Sequence, residues 1–268
     1  MTQNLITITC RKCETQFEAE SDWWKLCEPC SEIREAELIA EKKLEAEQKL
    51  AQAIADSRQQ VENCMRRITP PRWSATSTTD QRFNVELWQR VEQWKPSEEQ
   101  PWLGLVGEAG SCKTRIAFLK AQMIGLQMAE KSAAQRMIDK GRWRDLKIEE
   151  TNADEFQQTA RNLTSREKVT ALTATYCEVK TSVSSIAAAR INELKMADIL
   201  IFDELGKLAS SDAVSAAAFA LIDYRHRNNS VTLWTSNLPP EKFCALWPEE
   251  FAVPSAGRIV QTSTIFKV

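Results

Sequence analysis

Apolar and polar positions follow three different rhythms along this chain, and each predicts a different kind of structure. From Ser31 to Arg67 there is neither Gly nor Pro, and Ala, Glu, Lys, Gln and Leu dominate. These are strong helix formers. Glu45 and Lys49 stand four apart, the spacing at which opposite charges meet on one helix face. The apolar stripe of Ile33, Ala36, Ala40, Leu44, Leu50, Ile54 and Val61 is thin and irregular. The segment therefore predicts one long exposed helix; a coiled coil stays open, but the heptads are not clean. The prolines of ITPPRW, Ile68 to Trp73, stop it. Beyond them, apolar runs of strand length alternate with stretches of helix length. LGLV (Leu103 to Val106) precedes TRIAFLKAQMIGLQMA, LKIEET precedes ADEFQQTARN, ADILIFDE precedes SAAAFALIDYRHRN, and VTLWTSN follows. That alternation predicts a parallel sheet with helices on both faces. Boundaries between Arg142 and Leu194 cannot be placed from the pattern.

Composition narrows the class. The chain has 268 residues, 43% apolar and 27% charged, with a formal net charge of -2. That is ordinary for a globular protein with room for a large core. The overall charge gives no sign of nucleic-acid binding, although a local basic patch remains compatible with it. No apolar run is long enough to span a bilayer. MTQNLITITCRKC lacks the basic, apolar, small order of a signal peptide, so a cytoplasmic location is expected. There are eight cysteines, and in a reducing compartment they read as thiols or metal ligands.

GEAGSCKT, Gly107 to Thr114, nearly spells the phosphate-binding pattern G-x-x-x-x-G-K-[ST]. An apolar strand runs into Gly107 and a helix opens at Lys113, so the amides of Glu108, Ala109, Gly110, Ser111 and Cys112 and the helix N-terminus would converge on one phosphate. Lys113 would reach the β- and γ-phosphates of ATP, and the Thr114 hydroxyl would bind Mg²⁺. Cys112 replaces the glycine that allows close backbone approach. ADILIFDE supplies a buried strand ending in Asp203 and Glu204, at the edge where ligands of parallel sheets bind. Asp203 would hold Mg²⁺, and Glu204 would polarise the attacking water. VTLWTSN brings Thr235, Ser236 and Asn237 to the same edge.

Together, PPRW, GEAGSCKTR, ADILIFDELGK, LIDYRHRN and LWTSNLPP, spread over about 170 residues, resemble the AAA+ ATPases of the bacterial and phage helicase-loader group (DnaC-like), close to the IstB-like helpers of transposition. The resemblance implies an α/β P-loop fold with a parallel five-stranded sheet and an ATP site shared between subunits. It implies Asn237 as the γ-phosphate sensor and an arginine donated to the neighbour's ATP. Arg258 matches that arginine best, and Arg225 and Arg227 match less well. Ten residues follow Arg258, which implies a minimal or absent helical lid. Trp73 or Arg72 is placed near the adenine.

Cys10-x-x-Cys13 and Cys27-x-x-Cys30 are paired knuckles of the kind that hold structural Zn²⁺ tetrahedrally with no open position. Iron is the alternative. Zinc would supply the folding energy that 30 residues cannot bury. Trp23 and Trp24 would cover the site or face a partner, and the few basic neighbours favour a protein partner. Cys64, Cys112, Cys177 and Cys244 read as packing residues, and His226, the single histidine, as a surface residue.

The expected organisation is a four-cysteine module over 1–30, a charged linker helix over 31–67 and an AAA+ domain over 68–268. The expected function is ATP-driven loading of a replicative helicase onto single-stranded DNA by self-associated subunits. Lys120, Lys131, Arg136, Lys140, Arg142 and Arg144 are candidates for DNA contact. A transposition helper acting with a transposase, and a nucleotide-gated scaffold with little hydrolysis, are the alternatives.

Overall fold

The computed structural model describes residues 6–20, 25–73, 78–81, 83–138, 146–162, 183–208 and 211–268. Trp23, Trp24, Lys140, Arg142, Arg144 and Cys177 lie outside them, as do the side chains of Arg72 and Arg136. The chain divides into two compact units, one ending at Ala55 and one running from Asp56 to Val268. Among the described residues no helix is long and apolar enough to cross a membrane.

In the first unit, β1 (Ile6–Thr9) and β2 (Gln16–Ala19) form an antiparallel hairpin in the register Ile6 to Ala19. Helix α1 (Glu28–Ile68) begins in this unit. It begins three residues before the predicted helix, so Cys30 lies in its first turn. Of the stripe read from the sequence, Ile33 and Leu44 are exposed, as are the neighbouring Leu38 and Ile39.

In the second unit, β3 (Trp102–Val106), β4 (Ile148–Asn152), β5 (Ile199–Asp203), β6 (Val231–Ser236) and β7 (Ser263–Lys267) build one parallel sheet in the order β4-β5-β6-β3-β7. The helices are α2 (Val85–Glu92), α3 (Lys113–Ile138), α4 (Ala153–Arg161), α5 (Val183–Met196), α6 (Asp212–Arg227), α7 (Pro240–Cys244) and α8 (Glu249–Thr262). Each strand and helix expected from the apolar runs is present. The edge strand β7, whose burial is mostly partial, carries too weak a pattern to be read alone.

Successive strand residues point to opposite faces, and both faces of this sheet are covered. Ile199 and Ile201 of β5 pack with Leu103, Leu105 and Leu233 under α2, α3 and the last turns of α1, through Val61 and Met65. Leu200 and Phe202 pack with Trp234 under α4, α5, α6 and α8. This double burial is why ADILIFDE reads as a continuous apolar run. Gly104 in β3 is required by contact: a Cβ there would lie 2.3 Å from the Trp234 ring. Trp234 in turn donates its ring N–H to Ser263 Oγ at 2.9 Å, tying β7 to the sheet.

Candidate functional site

All five strands run the same way, so their C-terminal ends share one edge. There β3 delivers Gly107, β5 delivers Asp203 and Glu204, and β6 delivers Thr235 and Ser236. The Gly107 amide donates to the Ser236 carbonyl at 3.1 Å, fixing the start of the loop against β6.

The loop turns on two left-handed residues, Gly110 at φ 86° and Cys112 at φ 65°. The motif's glycine at position 112 is therefore a conformational demand in this chain, since an L-residue in this region is strained by its own Cβ. Cys112 meets the demand at a cost. Cys112→Gly is expected to raise stability by about 0.5–1 kcal/mol, the relief of the left-handed strain less the extra chain entropy of glycine. Chemical denaturation measures it, and a lower midpoint in the glycine variant would contradict the strain.

Lys113, 7% exposed, folds its ammonium back onto the loop. It donates to the carbonyls of Gly107 (2.8 Å) and Glu108 (2.6 Å) and to Ser111 Oγ (3.2 Å). Burial pushes its pKa below the ordinary lysine value, while the nearby Asp203 and Glu204 charges act the other way. A cation held among loop carbonyls is positioned for a phosphate in the same cradle.

One residue on, the Thr114 hydroxyl donates to Asp203 Oδ1 at 2.7 Å, and the Thr235 hydroxyl donates to the same oxygen at 2.6 Å. Thr235 Oγ1 also accepts from the Glu204 amide at 2.9 Å. The structure thus joins Thr114, Asp203, Thr235 and Glu204 into one network. Thr235 is the member whose importance the sequence hid; its only signal is a polar side chain at the end of an apolar strand. Asn237 lies exposed just beyond β6.

Glu204 adopts a left-handed conformation, φ 56° and ψ 34°, and its carboxylate pairs with Lys207 at 2.6 Å. A non-glycine residue held in this region stores strain that surrounding contacts must maintain, and such outliers concentrate at functional sites. The donor set at Thr114 and Asp203, a hydroxyl beside a carboxylate, is of the hard-oxygen type that suits Mg²⁺.

The arginines sort differently from the sequence expectation. Arg258 on α8 pairs with Asp223 at 2.7 Å and lies 4.9 Å over the Phe219 ring, both on α6. Arg227 pairs with Asp223 at 2.9 Å. Arg225 is 1% exposed, with its guanidinium bonded to Thr232 and to the carbonyls of Leu194, Lys195, Ala197 and Val231, and this burial removes it from the interface candidates. Lys120 is likewise buried, donating to the Glu92 carbonyl at 2.7 Å, the last of α2, so it cannot face DNA. Lys131 is exposed on α3. Trp73 is half-buried 5.7 Å from Phe118.

In the first unit, the turn between β1 and β2 carries Cys10 and Cys13, and the start of α1 carries Cys27 and Cys30. The four sulfurs all lie within 4.8 Å of one another. Tetrahedral Zn–S bonds place sulfurs about 3.8 Å apart, close to the 3.5 Å between Cys13 and Cys27. The Cys27 amide, with those of Cys13 and Lys12, pulls the Cys10 thiol down to about 6. The neighbouring sulfurs of Cys13 and Cys27 push Cys30 up to about 12. A cation among the four sulfurs would favour their thiolate forms, and this donor set fits zinc.

No family model and no curated protein matches the sequence. Among solved structures, the chain is similar to DnaI at 18% identity and a TM-score of 0.46, over 75% of this chain and 95% of that one. It is similar to the DnaC helicase loader at 14% identity and a TM-score of 0.43, over 73% and 95%. It is also similar to AMPPCP-bound DnaA from Aquifex aeolicus at 14% identity and a TM-score of 0.43, over 74% of this chain and 50% of that one. The chain thus spans about half the length of that initiator, and these overlaps are loose.

Proposed function

We propose that the chain binds and hydrolyses Mg²⁺–ATP at the edge formed by Gly107 to Thr114, Asp203, Glu204 and Thr235. The observation that carries this reading is the single carboxylate oxygen of Asp203 bonded by both Thr114 and Thr235, beside a lysine seated among loop carbonyls. Bound Mg²⁺–ATP would supply the γ-phosphoryl group that passes to water. Lys113 would exchange its carbonyl partners for phosphate oxygens. Thr114 and Asp203 would hold the cation. Glu204 would leave Lys207 and orient the water, and Thr235 would keep Asp203 and the Glu204 backbone in register. Asn237 would meet the γ-phosphate from beyond β6.

The biological task we assign is loading of a replicative helicase onto single-stranded DNA by self-associated subunits in the cytoplasm. This finer assignment rests on the loader-like motifs of the sequence. Arg258 would reach a neighbour's ATP after release from Asp223, and the cysteine module, holding zinc, would bind the partner protein. In the isolated chain both Glu204 and Arg258 are engaged by intrachain ion pairs. That favours hydrolysis only in an assembly, and it is the observation that keeps the nucleotide-gated scaffold as the second reading.

The test is steady-state ATP hydrolysis with and without single-stranded DNA. Glu204→Gln should lower turnover about 100-fold or more while ATP remains bound, and in the same assay Arg258→Ala should depress turnover and spare ATP affinity. Binding without turnover in the natural protein would establish the scaffold instead. Absence of ATP binding would end the nucleotide reading. Capture of a transposase in place of a helicase would select the transposition helper.

A further inference from the structure

The sequence IEETN places adjacent glutamates on the edge strand β4, and the sheet separates them. Strand register pairs Glu150 with Ile201 and Asn152 with Asp203. Alternation then sets the faces. Ile148, two residues before Glu150, packs with Ile199 and Ile201 on the α3 side, the side from which Thr114 reaches Asp203. Glu150 and Asp203 are therefore diagonal neighbours on one face, their Cα atoms roughly 8 Å apart by strand spacing and rise. Glu149 points the other way and is claimed by Arg190 at 2.6 Å.

Glu150 has a different environment. Its side chain is half-buried, and among the described residues no cation pairs with its carboxylate. Arg190, the nearest basic group felt by it, spends a guanidinium nitrogen on the Glu150 backbone carbonyl at 2.7 Å and others on Glu149, Glu155 and Glu193. Burial, then the charges of Glu155 and Asp203, push the Glu150 carboxyl up to about 7, against the pull of Arg190. A half-buried acid that feels the charge of Asp203 must also feel a cation bound there, because the coupling is reciprocal.

We propose that Glu150 is an outer carboxylate of the cation site, standing behind Asp203 and strengthening Mg²⁺ binding there through its charge and through water. This assignment rests on the nucleotide reading above. It gives a role to a half-buried edge-strand acid that has no ion-pair partner among the described residues.

The test is a titration of Mg²⁺ into the full chain with a fluorescent ATP analogue at pH 8, following nucleotide binding and not turnover. Glu150→Gln should raise the half-saturating Mg²⁺ concentration about fivefold, the scale of a Coulomb interaction between a carboxylate and a divalent ion at that separation in a water-like dielectric. Analogue affinity in the presence of a chelator should be unchanged. Glu150→Asp should recover most of the loss, and Glu98→Gln, which removes an exposed loop acid, should match the natural protein. An unaltered Mg²⁺ requirement in Glu150→Gln would overturn the assignment while leaving the nucleotide site standing. No Mg²⁺-dependent binding in the natural protein would overturn both.

Discussion

If the proposed zinc is held by Cys10, Cys13, Cys27 and Cys30, a chelator is expected to unfold residues 1–30 and abolish partner binding, while ATP binding survives. The reason is the size of the core. Among the described residues up to Ala55 the buried apolar ones are Cys10, Ala19 and Cys30. Two of these are cysteines of the cluster, so the described residues offer almost no hydrophobic interior to replace a lost cation. Among the described residues the other ties are short-range turn bonds, a four-pair hairpin ladder, the amide of Arg11 on the Lys25 carbonyl, and exposed ion pairs such as Lys12–Glu37 at 2.9 Å. An isolated two-stranded hairpin is marginal at best in water, and exposed ion pairs add little. Metal coordination becomes the folding free energy of such a module. The start of α1 would fray, but its Ala-, Glu- and Lys-rich body should keep most of its helix signal. Chelator titration with metal release, proton NMR dispersion of the hairpin and parallel ATP binding would report all three parts. Retained hairpin dispersion after complete metal loss would show that the cysteines are not structural. Loss of ATP binding on chelation would show that the two units do not fold independently.

Arg225→Met should destabilise the second unit by about 3–5 kcal/mol, the cost of breaking a buried, fully bonded charge site. Arg225 donates to the carbonyls of Leu194, Lys195 and Ala197 at 2.9, 3.2 and 2.8 Å, to Thr232 Oγ1 at 2.8 Å and to the Val231 carbonyl at 2.5 Å. The first two carbonyls belong to the last turn of α5, where a helix presents its negative pole and its unpaired acceptors. Burial pulls the guanidinium pKa down to about 9, which still leaves it charged at neutral pH. Methionine would fill much of the volume but leave these carbonyls buried without donors, each a separate cost. Lysine would keep the charge and lose the planar fork that reaches five acceptors, so Arg225→Lys should lie between the two. Denaturant unfolding of the three proteins gives the ranking. A loss below about 1 kcal/mol for Arg225→Met would mean that water replaces the guanidinium and that the site is not a structural hub.

Arg225 also marks the limit of what can be read from a linear pattern. In YRHRN it sits among polar neighbours near a helix end and looks like surface. Its burial follows from α5 and β6 converging on it, and those contacts join residues 28 to 31 positions away as well as a strand only six or seven positions on. Lys120 is misread for the same reason, because the carbonyl it caps belongs to α2. The opposite case is Arg258, which the resemblance assigns to a neighbour's ATP and the fold ties to Asp223 and Phe219 of α6.

What the sequence by itself determined is whatever depends on local rhythm or local spacing. The strands of the sheet interior are legible because burial on both faces demands continuous apolar runs, and the helices between them because their length and composition differ. The phosphate loop, the acidic pair and the cysteine knuckles are legible because their chemistry needs fixed residue types a few positions apart. The tertiary structure alone decided the rest. It showed that position 112 asks for a left-handed backbone, that Thr235 meets Asp203, and that Glu150 shares a face with Asp203 while Glu149 does not. These are relations between segments brought together by strand order and register, and no periodicity within one segment encodes which distant side chain will stand opposite.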